Sequence, residues 1–216
     1  MLQIEDPAIL STAYLPNIQY VSKFLGHKEV IIDVHETYQK QSFRNRTSIL
    51  GANGKMDLTV PVIKQFGNRT KTRDILIEYE TNWQSVHWKA IVSAYGHSPF
   101  FEIFEAELAP LFKKKTKYLV DFNRNILLQL FESLGKSDIQ IIFSKKYILP
   151  EEKKFDFRDT IHPKKRMQSP DKNFKPPEYF QVFAEKHEFV SNLSFLDLVF
   201  NEGSQALFIC QNSFVK

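Results

Sequence analysis

The chain has a single cysteine, Cys210, among 216 residues. A lone thiol can build neither an internal disulfide framework nor a multi-thiolate metal site, which points to a reducing compartment. Glycine is scarce too, at seven residues, and that argues against repeat solenoids and glycine-loop architectures. No apolar run approaches the roughly eighteen residues of a spanning helix. The first residues, MLQIEDPAILSTAYLP, carry acids where a secretion signal would carry lysines, so a cytoplasmic location without a membrane span is expected. Strong one-sided charge is also missing. A formal net charge of +4, with basic clusters at Lys113–Lys117 and Lys164–Arg166, suits an anionic small-molecule partner and is too weak to demand nucleic acid. The basic residues also lack the aromatic interleaving that single-strand binders use.

What the chain does have is a large apolar reserve: 43% hydrophobic residues, with 20 phenylalanines. That is enough to fold, and one domain over residues 1–216 is expected. The N-terminal pattern reads as a strand over Ala8–Tyr14, a helix over residues 17–25 with Ile18, Val21, Phe24 and Leu25 inside and Gly26 as its stop, and a second buried strand over Glu29–Val34. A strand, helix, strand unit predicts a parallel pair with a right-handed crossover, and ligands sit outside the carboxyl ends of such strands. The fold class expected is therefore mixed α/β. The N-terminal unit and a following β-hairpin would form one mixed sheet, covered by a helical middle section.

The hairpin signal is Asn53-Gly54, a favoured pair for a two-residue turn with left-handed backbone. It predicts Ala52 opposite Lys55, Ile49 opposite Leu58, Thr47 opposite Val60 and Asn45 opposite Val62. Ile49, Leu58, Val60 and Val62 would share an apolar face, and Arg44, Arg46, Ser48, Asp57 and Thr59 a polar one. A mobile loop, Gln65–Arg73, and a strand over Asp74–Tyr79 follow. The fragment Gly67–Thr72 lacks the Gly-Lys-Ser/Thr ending of a phosphate loop. Thr81 and Gln84 fit a capping box opening a helix over residues 82–95, with Trp83, His87 and Ile91 on one face. Ser98-Pro99 opens the next helix and Pro110 ends it; a third runs from Leu119 to Leu134, with Gly135 as stop. A strand over Ile139–Phe143 is expected next. Residues 150–177 are charged, proline-bearing and almost free of aliphatic side chains, and read as a long loop or lid. Order returns after Glu178, with a helix around Phe195–Phe200.

The candidate site is the polar run from His35 to Val62. Arg44, Arg46 and Lys40 are the expected anion-binding residues, helped by Gln39 and Asn45, because guanidinium groups grip phosphate and carboxylate through two parallel bonds. His35, presented at the exit of a buried strand, is the candidate base, with Asp33 as its partner. His87 and Trp83, with Tyr14, would line the acceptor side of a pocket. His87 also fits a satisfied core histidine, and Arg44 and Arg46 also fit plain strand positions. His97, His162 and His187 have no Asp or Glu at helical ligand spacing that would make a metal cluster convincing, so no metal is expected. No motif names a cofactor. Cys210 reads as core.

The stretches STAYLPNIQY, VIIDVHETYQKQSFRNRTSILGANGKMDLTVPV, NWQSVHWKAI, YGHSPFFE and NLSFLDLVFNEG together resemble the WbqC-like family of bacterial proteins. The likeness runs from about Ala8 to Cys210. It implies a cytoplasmic role in making or decorating an activated sugar for surface polysaccharide such as O-antigen, since members often lie near genes for that assembly. It carries no residue roles. Group transfer onto a phosphorylated or nucleotide-linked sugar is the enzyme reading. Nucleotidyl transfer is the alternative within enzymes, weakened because Tyr14-Leu15-Pro16-Asn17 lacks the paired histidines that hold a triphosphate. A non-catalytic binding or scaffold protein for a biosynthetic partner is the reading of another class.

Overall fold

The computed structural model of the chain describes residues 3–152, 154–164 and 167–215, so Lys165 and Arg166 of the second basic cluster lie outside the described residues. Strand β1 (Ala8–Leu10), helix α1 (Ile18–Gly26) and strand β2 (Val30–Ile32) form the expected parallel unit, with Ala8 opposite Val30 and Leu10 opposite Ile32. The first strand stops short of Tyr14, and the backbone at Leu15 turns left-handed, φ 41°, which no extended run survives. Asn17 caps α1, its Oδ1 accepting from the Tyr20 N–H at 2.9 Å. All nine residues of α1 are buried, polar Gln19 and Ser22 included. Gly26 ends the helix beneath Phe214: a Cβ there would stand 2.5 Å from that ring.

Strands β3 (Arg46–Gly51) and β4 (Gly54–Thr59) make the hairpin, in a register other than the predicted one: Ile49 faces Met56 and Thr47 faces Leu58. Neither Ala52 nor Asn53 has a positive φ, whereas Gly54 has φ 101°. The turn residues are thus Ala52-Asn53, with Gly54 as the left-handed residue that follows, the geometry of a glycine bulge. The slip is two residues on the partner strand, so side-chain parity is preserved and Leu58 and Ile49 still point inward. The hairpin does not join the sheet of β1 and β2 as expected but stands as its own antiparallel pair. Strands β5 (Val62–Lys64) and β6 (Ile75–Ile77) make a second such pair.

Helices α2 (Trp83–Tyr95), α3 (Phe101–Leu108) and α4 (Leu119–Ser133) cover the middle of the molecule. Phe122 on α4 packs at 5.9 Å on Tyr14 and edge-on at 5.5 Å to Trp83. Strand β7 (Ile142–Phe143) then adds in parallel to β2, and β8 (Phe155–Asp156) to β1. Residues 150–177, read as a loop or lid from sequence, therefore contribute an edge strand. The parallel sheet has the order β7-β2-β1-β8. The chain builds outward on one side of β1 and then returns to its other side, so the order reverses between β1 and β8. A single turn, α5 (Ala184–His187), precedes α6 (Phe195–Glu202) and α7 (Gln205–Asn212). Phe200 on α6 meets Tyr95 and Phe101 at 5.1 Å each. Among the described residues no helix is long and apolar enough to cross a membrane.

Candidate functional site

The carboxyl ends of the parallel strands release four polar exits to one edge: Ser11 and Thr12 after β1, Asp33 to Glu36 after β2, Ser144 after β7 and Arg158 after β8. Two buried ionic networks form there. In the first, Glu36 receives Arg44 through two bonds, Nε to Oε1 at 2.7 Å and Nη2 to Oε2 at 2.6 Å. Ser11 Oγ accepts from Arg44 Nη2 at 2.8 Å and donates to Glu36 Oε2 at 3.1 Å. Asn123 of α4 donates to the Arg44 carbonyl at 2.8 Å and to Thr12 Oγ1 at 3.1 Å.

In the second network Asp33, fully buried, accepts from Arg158 Nη1 at 2.5 Å, from Ser144 Oγ at 2.9 Å and from the backbone N–H groups of His35 and Ile148. Arg158 turns its remaining donors to Asp156, with Nη2 2.5 Å from Oδ2. Burial works against the Arg158 charge, but the hydrogen bonds and charges of Asp156 and Asp33 outweigh it and hold its pKa above the ordinary arginine value.

The crevice between β1 and β8, lined by Ser11, Thr12, Arg44, Phe157 and Arg158, is nearly filled by these side chains, with about 10 Å³ free. Immediately outside it lies an open cleft of about 300 Å³, lined by Glu36, Thr37, Gln39, Lys71, Tyr147, Arg158 and Asp159. This is where open α/β sheets place ligands, at the carboxyl ends beside a reversal of strand order. The Arg158 guanidinium lies 5.2 Å from the Tyr147 ring centroid. Next in the chain to Glu36, His35 meets the exposed Arg73, whose Nη1 stands 3.2 Å from His35 Nδ1 and 3.3 Å from Nε2. Among the described residues Lys71 reaches only Thr37 Oγ1, at 3.4 Å. Among the described residues no group of three or more His, Cys, Asp or Glu side chains is placed to hold a metal ion.

The other anion site such folds offer is closed. At the start of α1 the Ile18 N–H donates to the Leu193 carbonyl at 3.2 Å, Gln19 to Asn192 Oδ1 at 3.0 Å, Tyr20 to Asn17 Oδ1, and Val21 to the Asn17 carbonyl at 3.2 Å. No donor of the first turn is left for a phosphate.

The structure brings Asp33, His35, Gln39 and Arg44 to the carboxyl edge. Asp33 meets His35 through the backbone only, because Arg158 and Ser144 occupy its carboxylate. Arg44 is buried against Glu36, whereas Arg46 lies on the outer face of the hairpin, 3.6 Å from Asp57 and 3.2 Å from Thr59 Oγ1. The two arginines therefore do not act on one ligand. Lys40 is exposed beside Lys64. Gln39 borders the open cleft, with its Oε1 buried and without a hydrogen-bond partner among the described residues. Asn45 closes the hairpin, donating to the Val60 carbonyl at 2.7 Å. Tyr14, Trp83 and His87 form a core cluster away from this edge. The Tyr14 hydroxyl lies 2.8 Å from His87 Nδ1, and Trp83 Nε1 donates to the Glu78 carbonyl at 2.9 Å. Burial pushes His87 down to about 4, partly offset by its bond to the Thr59 backbone.

Sequence reasoning passed over Glu36, Lys71, Arg73 and Arg158. Glu36 stands in the polar run itself, and the alternation Phe155-Asp156-Phe157-Arg158 was a faint strand signal inside a segment read as loop. It also considered His162 only as a metal ligand. His162 is buried near Arg44, and burial, followed by the Arg44 and Lys164 charges, lowers its pKa.

The sequence model of one family, described as the WbqC-like protein family, matches residues 12–168. That span holds the residues of both ionic networks except Ser11, and stops before α6, where NLSFLDLVFNEG lies. No curated protein and no solved structure matches the chain.

Proposed function

The chain belongs to the WbqC-like protein family, and we propose that it is a transferase of surface-polysaccharide assembly, acting on a phosphorylated or nucleotide-linked sugar. The observation that carries this reading is the cleft at the carboxyl ends of β2 and β8, lined by Lys71, with the contacting pair His35 and Arg73 adjacent in the chain to its lining residues Glu36 and Lys71. Lys71 and Arg73 take the phosphate role that Lys40, Arg44 and Arg46 held in the sequence reading. Both are exposed, and Lys71 has no carboxylate partner among the described residues. Arg44 and Arg158 are bound to internal carboxylates and serve as the frame. His35 supplies a ring nitrogen to accept a proton from the acceptor hydroxyl or amine, a step in which one positioned imidazole gives roughly a hundredfold to ten-thousandfold. Tyr147 walls the cleft and Gln39 borders it.

Nucleotidyl transfer fits less well, because the closed α1 N-terminus leaves no backbone cradle for a triphosphate. The test is thermal-shift titration with UDP-, dTDP- and GDP-sugars, repeated on Lys71→Ala/Arg73→Ala. Stabilisation by at least one of them, lost in the variant, supports the site. Equal stabilisation of both proteins, or none of either, ends this reading. Binding that persists with no turnover in the presence of acceptor sugars would leave a binding protein.

A further inference from the structure

A second cleft, of about 820 Å³, lies between the outer face of the hairpin, at Ser48, Lys55 and Asp57, and the side chains of Thr160, Pro163, Gln168 and Phe174. Its volume falls within the range of ligand sites, roughly 300 to 1,000 Å³. Its floor is a hydrogen-bonded ladder: Asn192 Nδ2 donates to Gln19 Oε1 at 3.1 Å, and Gln19 Nε2 donates to Asp171 Oδ2 at 2.8 Å. Asp171 is fixed in turn by the buried Lys23 ammonium at 2.7 Å. Asn192 holds its place with a left-handed backbone, φ 54°, a conformation asparagine tolerates better than most residues.

Each side-chain amide carries two N–H donors and one acceptor oxygen. The ladder uses one donor of Gln19 and one of Asn192, and the second donor of each has no partner among the described residues. The floor therefore presents pre-oriented donors whose rotamers are already fixed, so little ordering is left to do when a ligand arrives. Two half-buried aromatic side chains, Phe43 and Phe174, stand in the walls.

The lining also discriminates among ligands. Among the described residues its two carboxylates, Asp57 and Asp171, are already paired with Arg46 and Lys23, and its ammonium, Lys55, is exposed, so the floor itself presents no unpaired charge for an ion to meet. An apolar ligand would cover amide donors that need partners. Vicinal hydroxyls, which both donate and accept, together with C–H faces that lie flat on aromatic rings, match both parts of the surface.

We propose that this cleft binds a neutral carbohydrate chain. Phe43 also borders the filled crevice beside β1 and β8, which places the cleft on the far side of that ring from the ionic networks. Its use as the acceptor side of a transfer rests on the function proposed above; the binding itself does not.

The test is NMR on the full chain with maltotriose, chitotriose and mannotriose as probes, and inorganic phosphate as the charged control. At least one trisaccharide should shift the Gln19 and Asn192 side-chain amides and show saturation transfer to its ring C–H protons, while phosphate moves neither amide. Ser191 is an exposed lining residue, so Ser191→Trp fills the cleft without disturbing the core. It should weaken binding about tenfold or more. Phe174→Ala should remove the saturation transfer and serves as the second variant. No trisaccharide shift at these amides, or shifts undiminished in Ser191→Trp, overturns the proposal. UDP-glucose read at Lys71 and Arg73 in the same samples separates the two sites. A response there with silence in this cleft removes only the present inference, and the reverse removes only the proposed phosphate site.

Discussion

Arg44 and Glu36 meet through two parallel bonds of 2.7 and 2.6 Å while both are buried. The pair ties the exit of β2 to the entry of the hairpin, and Ser11 ties both to the exit of β1. A buried pair of this kind adds little net stability over an apolar replacement, but removing one partner strands the other charge, at a cost of about 3–5 kcal/mol. Glu36→Ala and Arg44→Ala should each lose stability of that order in urea unfolding. Glu36→Leu combined with Arg44→Met should lose clearly less than the sum of the two single changes. Additive losses would mean that the two side chains act independently.

The exposed cations should behave in the opposite way. Lys71 and Arg73 are exposed, so alanine at either should change unfolding free energy by no more than about 0.5 kcal/mol. A charge-assisted bond to phosphate contributes roughly 1.5–3 kcal/mol, so each variant should weaken nucleotide-sugar binding about tenfold or more by calorimetry. If Arg44→Ala, corrected for its stability loss, weakened binding more than Lys71→Ala did, the phosphate would belong in the inner crevice.

Arg158 offers a separate measurement. Its guanidinium joins Asp33 after β2 to Asp156 at the end of β8, and the Phe157 N–H donates to the Ile9 carbonyl at 2.9 Å. Arg158→Met removes the shared cation and leaves Asp33 buried and unpaired, a loss again of about 3–5 kcal/mol. Hydrogen exchange should show amide protection lost first over residues 155–157, with the hairpin still protected. Uniform loss across the chain would mean that β8 does not open on its own.

How much of this was legible follows from where each signal is stored. The unit β1, α1, β2 was readable because its periodicity, the Asn17 cap and Gly26 are local. Strand β8 was not, because two residues in a charged, proline-bearing stretch become a strand only when β1 is already there to pair with. At the site, the exit of β2 could be located from the rule for parallel strands, but the partner of Asp33 could not, since Arg158 lies 125 residues away. The expected capping box shows the same limit. Asn82, not Thr81, precedes α2, and Gln84 turns to the Lys114 carbonyl at 2.9 Å.

The hairpin is a case where the right residues gave the wrong register. Asn53-Gly54 marks a turn under either geometry, and only the φ values show that Gly54 alone is left-handed. Gly54→Ala should therefore cost about 1–2 kcal/mol through backbone strain. The added methyl itself would meet nothing closer than the His187 ring at 3.8 Å. Asn53→Ala, at an ordinary φ, should be nearly neutral in the same unfolding assay. The opposite ranking would restore the predicted turn.

His87 converts burial into a pH dependence. The Tyr14 hydroxyl lies 2.8 Å from His87 Nδ1, and the ring is buried with its pKa lowered from 6.5 to about 4, chiefly by that burial and partly offset by the Thr59 backbone. Between those values the unfolded chain binds a proton that the folded chain refuses. Stability from this residue is therefore complete above about 6.5 and falls as the pH drops toward 4, by on the order of 3 kcal/mol. His27 and His162 are lowered in the same direction by burial, so the acid limb is shared. His87→Gln keeps an acceptor for Tyr14 and cannot titrate. The difference in urea unfolding free energy between pH 7 and pH 5 should shrink in that variant, and an unchanged difference would assign the whole acid limb to the other two histidines.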